Sequence, residues 1–506
     1  MLTLDRLLDG VPGAVIAAGR GDIVVREVYD DSRRVEPGGL FVAVPGHQVD
    51  GARFIAEALG KGAVAVVAES PQLAADLAGK AAFVQVASAR QAVALIAANR
   101  FRATPELCLT AVTGTNGKTT TTYLVEALLR TAGRAPGLIG TVAYRFGGRA
   151  MKSSLTTPGA LALHALLADM SQQGASDVVM EASSIALEQG RLAGCRFRVA
   201  ALTNVTQDHL DYHGTMARYF AAKQILFREL MLAHGVSVFF VDDEHGSLMR
   251  SQVRGPALTL SRGSRGADVV VLEHELSAEG IVARLATPVG VLAIRSRLVG
   301  EFNLANLLTA VGIAIAHGCP PAAIAEGIAS LDGVPGRMEA VANSAGVLCV
   351  VDYAHTPDAL ERALDALRSL CRSRLICVFG CGGDRDRGKR PLMGQAAASR
   401  ADVVIVTSDN PRSEPPAAIM AAILPGVRAS GKVERSADEL GSGRDGFHVE
   451  VDRAVAIARA VAVARAGDVV LLAGKGHEDY QVVGGVTKHF DDREVAAAAF
   501  AARRDG

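Results

Sequence analysis

Short apolar runs alternate along this chain with longer stretches rich in Ala and Leu. Runs such as 375–379 and 469–472 are apolar at every position, which is typical of strands buried on both faces of a parallel sheet. Stretches such as 119–132 and 357–368 are long enough for the helices that connect parallel strands. The pattern therefore predicts an α/β fold. Strands are expected at 40–44, 63–67, 83–86, 107–112, 177–180, 199–202, 236–241, 347–351, 375–379, 403–406 and 469–472.

Two turn-forming clusters divide this pattern. One lies at Thr104 and Pro105, just before an apolar run, and the other is the Gly-Val-Pro-Gly sequence at 333–336. The segment 255–300 contains short β-like pieces separated by Gly turns, and we interpret it as a β-rich extension of the central domain. The expected domains are 1–105, 106–334 and 335–506.

Composition and charge narrow the functional classes. The 506 residues suggest about three domains at roughly 100–200 residues each. A hydrophobic fraction of 49% and a charged fraction of 21% are ordinary for a globular protein, and argue against a disordered or fibrous chain. Lys and Arg number 53, as do Asp and Glu, so the formal net charge is zero. The sequence therefore does not indicate a general binder of nucleic acid or membrane surfaces.

The cysteines and the amino terminus bear on the compartment. The 7 cysteines are scattered, with no paired CxxC, so we expect neither a disulfide framework nor a zinc site but a reducing compartment. The first residues, MLTLDRLLDGVPG, lack the apolar core of a signal peptide. No apolar run reaches the roughly 18–20 residues of a membrane helix. We expect a cytoplasmic protein without membrane insertion.

The sharpest local pattern is GTNGKTT at 114–120, which follows an apolar run and begins a predicted helix. Glycines let backbone N–H groups approach phosphate oxygens, and a helix N-terminus favours anions. Lys118 can reach the β- and γ-phosphates of ATP, and the Thr119 hydroxyl can ligate Mg²⁺. One position departs from the usual pattern, since Val112 stands where a glycine is common. The expected phosphate-binding residues are Gly114, Thr115, Asn116, Gly117, Lys118, Thr119 and Thr120.

Acidic residues and a histidine follow two later strands. Glu181 ends the run at 177–180, and Asp208, His209 and Asp211 come soon after the run at 199–202. Ligands of open α/β sheets bind at the carboxyl ends of strands, so these side chains are expected beside the phosphates. A single carboxylate with phosphate oxygens is sufficient for Mg²⁺. Helix capping is an equally good explanation for either aspartate alone, and a lone histidine is more often structural.

These motifs occur with others that span nearly the whole chain, and together they resemble the Mur ligase family. The motifs are DDSRRVEPGGLFVAVPGHQVDG at 30–51, GTNGKTT at 114–120, LTTP at 155–158, EASS at 181–184, TNVTQDHLDYHG at 203–214, AAK at 221–223, GEFNLANLLTA at 300–310, GRME at 336–339, DYAHTPDAL at 352–360, GCGGDRDRGKRPLM at 380–393, DNPR at 409–412 and GKGHEDYQ at 474–481.

The resemblance implies fold and reaction. Mur ligases have three domains, with a central P-loop ATPase-like parallel sheet and a C-terminal Rossmann-like domain. They use ATP to join amino acids to UDP-muramoyl peptides in cell-wall synthesis, through an acyl phosphate. Within the family, the chain is most similar to the type that extends UDP-N-acetylmuramoyl-L-alanyl-D-glutamate. The expected catalytic residues are Lys118, Glu181, His209 and Lys223.

The DNPR motif resembles the form of this type that accepts meso-2,6-diaminopimelate. This amino acid carries a second carboxylate that lysine lacks, and the Arg412 guanidinium can bind such a group with two hydrogen bonds. Without the family, the same four residues predict only a turn. The implied diaminopimelate-binding residues are Arg390, Asp409, Asn410, Pro411, Arg412, Gly474 and Glu478.

Lys223 is assigned a role by the resemblance alone. From the residues, it is a helical lysine that is expected to be a solvated surface ammonium. The corresponding lysine in the family is N-carbamylated by CO₂ and ligates Mg²⁺. Carbamylation needs an uncharged amine, so a lowered pKa is implied. The implied metal ligands are Thr119, Glu181, His209 and Lys223 as the carbamate.

The remaining contacts are also implied by resemblance. Ile185 and Leu155 depart from residues common in relatives, which bears on the sugar-peptide contacts rather than on ATP. ATP contacts are expected at Asn303, Arg337 and Asp352, with His355 nearby. UDP-muramoyl-dipeptide contacts are expected at Ser32, His47, Gln48, Thr156, Thr157, Ser183, Gln189 and Arg191.

Two other functions are compatible with a P-loop. One is a related amide ligase, such as a folylpolyglutamate synthase or a neighbouring cell-wall ligase. The other is a nucleotide-binding switch that hydrolyses ATP without ligation, which would leave Lys223 and the DNPR motif unexplained. We expect a monomeric enzyme that needs ATP and Mg²⁺, although the sequence does not distinguish Mg²⁺ from Mn²⁺.

Overall fold

Val- and Ala-rich runs before residue 102 form a five-stranded sheet in the order β2-β7-β6-β5-β4. Strands β4 to β7 are parallel, and β2 is antiparallel to β7. The computed structural model describes residues 2–46, 49–102, 107–263, 266–277 and 279–503. The elements are β1 (Leu2–Thr3), α1 (Leu4–Leu7), β2 (Val15–Ala18), β3 (Val24–Val25), β4 (Val28–Tyr29), β5 (Leu40–Val42), α2 (Ile55–Gly60), β6 (Ala65–Ala68), α3 (Leu73–Leu77), β7 (Ala82–Gln85) and α4 (Ala89–Phe101), with 3₁₀ turns at Ser32–Arg34 and Gly51–Phe54.

A second sheet has the order β11-β10-β9-β12-β8-β13-β14-β15. Strands β9, β12, β8, β13, β14 and β15 are parallel to their neighbours among these six. Strand β10 is antiparallel to β9, and β11 is antiparallel to β10. The elements are β8 (Cys108–Thr113), α5 (Lys118–Thr131), β9 (Pro136–Ile139), β10 (Ala143–Phe146), β11 (Arg149–Lys152), α6 (Ala160–Gln172), β12 (Asp177–Glu181), α7 (Ser184–Glu188), β13 (Phe197–Leu202), α8 (Leu210–His213), α9 (Met216–Glu229), β14 (Met231–Phe240), α10 (Glu244–Gln252) and β15 (Ala257–Ser261).

The register of this sheet gives it two chemically different edges. Asp177 of β12 pairs with Cys108 of β8 at the amino end, and Glu181 pairs with Val112 near the carboxyl end. Because the strands are parallel, the turns after β8, β9, β12 and β13 come to the same edge. The P-loop is one of these turns.

The segment 255–300 is β-rich, as the sequence indicates. Strands β16 (Val269–Ser277), β17 (Gly280–Thr287) and β18 (Gly290–Ser296) form an antiparallel meander, followed by helices α11 (Glu301–Ala316) and α12 (Pro321–Ala329). The chain forms two compact units, Met1–Val269 with Thr309–Ile324 (unit 1) and Val270–Leu308 with Ala325–Gly506 (unit 2).

A further sheet in unit 2 has the order β19-β20-β24-β21-β22-β23 and is parallel except for β19. Alternate residues of one strand face separate cores, since Cys377 and Phe379 belong to one apolar cluster and Ile376 and Val378 to another. The elements are β19 (Glu339–Val341), β20 (Leu348–Asp352), α13 (Pro357–Arg368), β21 (Leu375–Phe379), α14 (Lys389–Arg400), β22 (Val403–Val406), α15 (Pro416–Ala429), α16 (Ala437–Gly441), β23 (Gly446–Val449), α17 (Arg453–Val463), β24 (Val469–Ala473), β25 (Tyr480–Val483), β26 (Val486–His489) and α18 (Asp492–Ala502).

The predicted α/β fold is confirmed, and every predicted strand is present, most with ends shifted by one or two residues. Strand β14 begins at Met231, five positions before the predicted start at 236, because the exposed His234 and the following glycine interrupt its apolar pattern. Strands β9, β10 and β11 were not predicted. All seven cysteines are free thiols. Within the described ranges, no helix combines the length and the apolar character needed to cross a bilayer.

Candidate active site

The P-loop between β8 and α5 depends on two glycines. Gly114 has φ +147°, and a Cβ there would lie 1.9 Å from the Thr203 hydroxyl, so a larger residue would displace the loop. Gly117 has φ +87° and caps α5. The first N–H groups of α5 have no partner within the helix, which makes this turn suited to bind phosphate.

Thr203 and Asn204, which directly follow β13, hold the P-loop through hydrogen bonds to Asn116. The Asn204 side chain accepts a hydrogen bond from the Asn116 N–H at 3.0 Å and donates to the Asn116 carbonyl at 3.1 Å. The Thr203 hydroxyl donates to the same carbonyl at 2.6 Å. Neither residue was predicted as functional. Their position directly after a buried strand is a signal that could have found them.

Lys118 and Thr115 are fixed within the loop. The Lys118 ammonium donates to the carbonyls of Gly114 at 2.9 Å and Thr115 at 2.7 Å. The Thr115 hydroxyl lies 3.0 Å from the Tyr219 hydroxyl. Tyr219 precedes Lys223 by one helical turn of α9, a spacing that places both side chains on one face. That spacing is the sequence signal that would have identified Tyr219.

Glu181 is buried and lies beside the first turn of α5. Its carboxylate accepts hydrogen bonds from the Thr119 hydroxyl at 3.1 Å and from the Thr141 N–H and hydroxyl at 2.8 and 3.0 Å. Hydroxyl and carboxylate oxygens are the ligands that Mg²⁺ prefers, so the residues present fit this ion. Thr141 follows β9, a strand the sequence did not reveal, and was therefore missed.

Lys223 lies inside the molecule, with a relative exposure of 1%. The expectation from the residues alone, a solvated surface lysine, is therefore wrong. Its ammonium donates to the Gly114 carbonyl at 2.9 Å and lies 4.3 Å from the centre of the Tyr219 ring. Burial lowers the pKa of Lys223 well below the usual 10.5, the positive charge of Lys118 lowers it further, and only Asp208 opposes the shift. The neutral amine is thus more favoured here than in a solvent-exposed lysine.

His209 and its neighbours complete this edge of the sheet. His209 has φ +51°, and its imidazole lies 3.5 Å from the Asp208 carboxylate. Burial, and then the charges of Lys118 and Lys223, lower the pKa of His209, whereas Asp208 raises it. Asp211 is exposed in the first turn of α8. Three basic side chains thus influence one another beside the P-loop, which favours an anionic ligand.

A hydroxyl-rich cluster lies next to Glu181 at the end of β12. It includes Thr156, whose hydroxyl is 3.0 Å from that of Thr141. The Thr157 hydroxyl donates to the Glu181 carbonyl at 2.8 Å and accepts from the Ser183 N–H at 3.0 Å. The structure therefore brings together the predicted residues Thr156, Thr157 and Ser183.

Arg191 and Gln189 join this cluster. Arg191 donates to the Gln189 side chain at 2.9 and 2.6 Å and to the Thr157 carbonyl at 3.1 Å, and burial lowers its pKa. Ser32 lies apart, in the first sheet region, where its hydroxyl donates to the Glu57 carboxylate at 2.7 Å. The predicted residues His47 and Gln48 lie outside the described part of the chain.

Unit 2 contains the other predicted ATP contacts. The Arg337 guanidinium lies 4.8 Å from the centre of the Tyr353 ring. The Asp352 carboxylate accepts hydrogen bonds from two backbone N–H groups, each at 2.8 Å, and burial raises its pKa although Arg337 opposes this. Asn303 is buried in α11 and donates to the Val299 carbonyl at 2.8 Å. His355 contacts Tyr353, with ring centres 4.6 Å apart.

The DNPR turn in unit 2 is held by the hairpin of β25 and β26. The Asn410 side chain donates to Glu478 at 2.7 Å and accepts from the Val482 N–H at 2.9 Å. Burial, and then the charge of Asp409, raise the pKa of Glu478. Gly474 has φ +109°, and a Cβ there would lie 3.8 Å from the Asp409 carboxyl carbon. The Pro411 carbonyl accepts the Glu414 N–H at 3.0 Å, which closes the turn.

Arg412 and Arg390 have different surroundings. Arg412 donates to the Gly383 carbonyl at 2.8 Å and lines an open cavity. The Arg390 guanidinium is buried and donates through both terminal nitrogens to the Glu414 carboxylate at 3.1 and 2.8 Å. Glu414 was not predicted, although it stands two positions after DNPR. The cavity is lined by Asp384, Arg412, Ser413, Val482, Gly484 and Gly485.

Lys475 was also missed. It is fully buried, and its ammonium lies 3.7 Å from Glu478 and 4.0 Å from Asp409. Burial lowers the pKa of Lys475, whereas the charges of Asp409 and Glu478 raise it. The buried lysine thus lies between two predicted diaminopimelate-binding carboxylates.

Comparison with protein families gives matches along most of the chain. Residues 25–101 match the Mur ligase family catalytic domain, 112–314 the Mur ligase middle domain and 336–476 the Mur ligase glutamate ligase domain. The chain belongs to the Mur ligase family. The resemblance seen in the motifs is thereby confirmed, as is the three-domain Mur ligase architecture.

Curated relatives of this Mur ligase align over almost their full length. UDP-N-acetylmuramoyl-L-alanyl-D-glutamate--2,6-diaminopimelate ligase of Geobacter metallireducens is 46% identical over 493 residues, with 96% of each chain covered. The protein of the same name in Geobacter sulfurreducens is 45% identical over 501 residues, with 97% of each covered. A solved structure with this name is 35% identical, has a TM-score of 0.70 and covers 99% of both chains.

The family matches place the predicted residues in this Mur ligase. The middle-domain match includes the P-loop, Glu181, Lys223 and Asn303. The glutamate ligase match includes the DNPR turn but ends two residues before Glu478.

Proposed function

We propose that this Mur ligase adds meso-2,6-diaminopimelate to UDP-N-acetylmuramoyl-L-alanyl-D-glutamate, with hydrolysis of ATP to ADP and phosphate. The observation that carries the proposal is the 46% identity over 96% of both chains to a relative named as this ligase. Arg412 beside an open cavity supports it, because diaminopimelate has a carboxylate that lysine lacks. The enzyme would act as a monomer in cytoplasmic peptidoglycan precursor synthesis.

The three domains at 1–105, 106–334 and 335–506 belong to this proposal. The first, with Ser32, His47 and Gln48, would bind the UDP-sugar. The second would bind ATP, and the third the amino acid. Thr156, Thr157, Ser183, Gln189 and Arg191 would contact the dipeptide, since clustered hydroxyls and a guanidinium suit carboxylates.

The reaction needs an activated carboxylate. The D-glutamyl carboxylate of the substrate attacks the γ-phosphoryl group of ATP, which forms an acyl phosphate and releases ADP. The amine of diaminopimelate then attacks the acyl carbon, the C–O bond to phosphate breaks, and an amide remains. The protein's contribution is positioning and charge stabilisation around the phosphates.

Residues of the P-loop edge suit these tasks. The N–H groups at 114–120 and the Lys118 ammonium would bind the phosphates, with Asn303, Arg337 and Asp352 as further ATP contacts. Thr119, Glu181, His209 and carbamylated Lys223 would hold Mg²⁺, which neutralises phosphate charge when bound. Burial of Lys223 supports carbamylation, because the favoured neutral amine can add to CO₂ with loss of one proton.

Arg390, Asp409, Asn410, Pro411, Arg412, Gly474 and Glu478 would form the diaminopimelate site. In this arrangement Arg412 would bind a carboxylate, and Asp409 and Glu478 an ammonium. Lys475 would then balance part of their negative charge.

Competition between amino acids tests the proposal. The enzyme is incubated with UDP-N-acetylmuramoyl-L-alanyl-D-glutamate, ATP, Mg²⁺ and equal amounts of lysine and meso-diaminopimelate. The glutamyl carboxylate carries ¹⁸O, and the masses of the products are measured by mass spectrometry. We expect the diaminopimelate adduct, and ¹⁸O from the glutamyl carboxylate in the released phosphate. A lysine adduct would contradict the substrate, and ADP release without any amine would favour a nucleotide hydrolase.

A P-loop variant is the control for contamination. Lys118→Met should abolish both ADP release and product, because the ammonium that would bind the phosphates is removed. Arg254→Met changes an exposed basic residue elsewhere in unit 1 and should leave both unchanged.

A further inference from the structure

Glu414 joins three segments of unit 2 that the sequence keeps apart. One carboxylate oxygen accepts from the Asp384 N–H at 2.7 Å and from Arg390 at 2.8 Å, and the other accepts from Arg390 at 3.1 Å. The Arg387 guanidinium lies 3.2 Å away on the exposed side. One partly exposed carboxylate thus ties the loop after β21 and the start of α14 to the loop after β22.

One partner of Glu414, Asp384, lies at the cavity of Arg412. Asp384 lines this cavity, and the hydroxyl and N–H of Ser413, the next cavity residue, donate to the Asp384 carboxylate at 2.6 and 3.1 Å. A Cβ on Gly382 would lie 2.9 Å from the Arg412 guanidinium, and the Gly382 carbonyl accepts from Arg390 at 3.4 Å. The guanidinium groups of Arg412 and Arg390 are therefore both next to Gly382.

Glu414 does not engage every donor of Arg390. The terminal nitrogens of Arg390 are directed to the Glu414 carboxylate, whereas its Nε is buried without a hydrogen-bond partner. Arg390 itself is 3% exposed. A buried N–H donor without an acceptor is unfavourable, so a ligand oxygen that reaches it gains a hydrogen bond. The Glu414 carboxylate restrains this orientation through two hydrogen bonds, because a long side chain has several rotatable bonds to fix.

We propose that Glu414 is a positioning residue for the amino-acid substrate, which holds the Arg390 guanidinium and the Asp384 loop in place beside Arg412. The proposal rests on the proposed function, since it takes diaminopimelate as the ligand of this site. Glu414 does not touch the substrate, and it acts by fixing the groups that do. Its charge is maintained across the physiological range, because hydrogen bonds from Arg390 lower the pKa of Glu414 to about 2.

The test is the kinetics of Glu414→Gln, which keeps the size of the side chain and removes its charge. We expect the KM for diaminopimelate to rise about tenfold or more, as loss of a charge-assisted hydrogen bond implies. The KM values for ATP and for the UDP-linked substrate should stay unchanged, and kcat should fall less than the KM rises. The preference for diaminopimelate over lysine should shrink. Glu414→Asp keeps the charge at a shorter reach and should give an intermediate KM.

Two variants serve as matched controls. Arg387→Gln removes an exposed partner of Glu414 without affecting Arg390, and Glu434→Gln breaks an exposed pair with Arg428 in the same unit. Both should retain the wild-type KM for diaminopimelate. If Glu414→Gln does not fold, Glu414→Asp replaces it, and its KM for diaminopimelate should exceed those of wild type and Arg387→Gln. Equal KM values in all three proteins would overturn the inference.

The outcomes separate this inference from the proposed function. Wild-type enzyme that makes no diaminopimelate product overturns the proposed function, and this inference with it. Wild-type activity together with an unchanged KM in Glu414→Gln overturns the inference alone. A parallel change in all three KM values would show a purely structural residue, which also overturns it.

Discussion

The two edges of the central parallel sheet in unit 1 both bury ionisable side chains, yet their charges are arranged in opposite ways. At the amino edge, Arg134 donates to Asp177 at 2.9 Å and to His317 at 2.9 Å. The second nitrogen of His317 lies 2.7 Å from the Thr110 hydroxyl. The groups at this edge satisfy one another with charges of opposite sign. Although Cys108, Asp177 and His317 are close enough to hold a metal ion, the Arg134 guanidinium already occupies the position of a cation.

At the carboxyl edge, three basic groups lie close to one another, and Asp208 is the acidic group that opposes their mutual effect. Burial is the main cause of the lowered pKa values of Lys223 and His209; the charge of Lys118 lowers both further, and that of Lys223 lowers the pKa of His209. Like charges held close together are unfavourable unless an anion joins them. Burial alone therefore does not identify a functional site in this protein. The pairing of the charged groups distinguishes the two edges: Arg134 binds both Asp177 and His317 at the amino edge, whereas the ammonium groups of Lys118 and Lys223 donate only to backbone carbonyls among the contacts described above.

The variant Lys223→Ala tests the carboxyl edge and has the largest expected effect. We expect product formation to fall roughly 100-fold or more, as for loss of a group that stabilises charge in the transition state. Added acetate or formate should restore part of the rate by replacing the proposed carbamate. Arg228→Ala, an exposed change on the same helix, is the control and should retain the rate. A near-normal rate in Lys223→Ala would remove this lysine from the mechanism.

Asp177→Asn tests the opposite edge. The variant keeps the shape but removes the charge that pairs with Arg134, so the free energy of unfolding should fall by roughly 2 kcal/mol. The folded enzyme should keep its kcat. Urea unfolding followed by circular dichroism measures the loss, with exposed Asp169→Asn as the control. A fall in kcat without a loss of stability would show that the comparison of the edges is wrong.

Thr141→Val sharpens the description of the carboxyl edge. Valine has the shape of threonine and keeps the backbone N–H that donates to Glu181, but it lacks the hydroxyl that donates to Glu181 and contacts the Thr156 hydroxyl. We expect kcat to fall about tenfold, the effect of one hydrogen bond to a charged group. Thr131→Val removes a hydroxyl that donates to the Ala323 carbonyl at 2.8 Å, and should leave kcat unchanged. Equal kcat values in both variants would exclude a role for Thr141.

The smallest expected effect near neutral pH concerns His317. Burial, and then the charges of Arg134 and Arg198, lower the pKa of His317 from 6.5 to about 3. A histidine with a lowered folded-state pKa stabilises the fold fully above pH 6.5, and this contribution is lost as the pH falls towards 3. Urea midpoints of wild type should therefore decrease as the pH is lowered below 6.5, and those of His317→Gln should decrease less.

His489 provides a control of opposite sign. It is exposed, and a hydrogen bond with Glu494 raises its pKa above 6.5, so its small stabilising effect is present at low pH and lost as the pH rises. His489→Gln should not flatten the acid limb of the stability profile. Equal slopes in wild type and His317→Gln would show that His317 does not titrate between the folded and unfolded states.

The sequence predicted the elements that carry a strong local pattern. Fully apolar runs identified Leu375–Phe379 and Val403–Val406 at their observed bounds. The short strands β9 to β11 were missed, because a Pro-Gly start and charged residues interrupt their patterns. Thr141, whose position depends on β9, was missed with them.

Residues whose partners are far away along the chain could not be identified from the sequence either. Glu414 pairs with Arg390 across 24 positions, and Asn204 holds Asn116 across 88. The residues next to Glu414 and Asn204 in the sequence do not indicate which distant residue each of them contacts. The P-loop was predictable because its glycines, lysine and threonines are contiguous, so their chemistry is visible in one short segment.

The sequence by itself determined the α/β class, the P-loop and the resemblance to Mur ligases, because each of these depends on neighbouring residues or on periodicity. Only the tertiary structure decided that Lys223 is buried, that Glu414 is paired with Arg390, and that Asp177 faces a guanidinium. Burial and pairing depend on which strands and helices meet in space. The identity of a residue sets the usual pKa of its ionisable group, and those contacts decide how far the pKa departs from it.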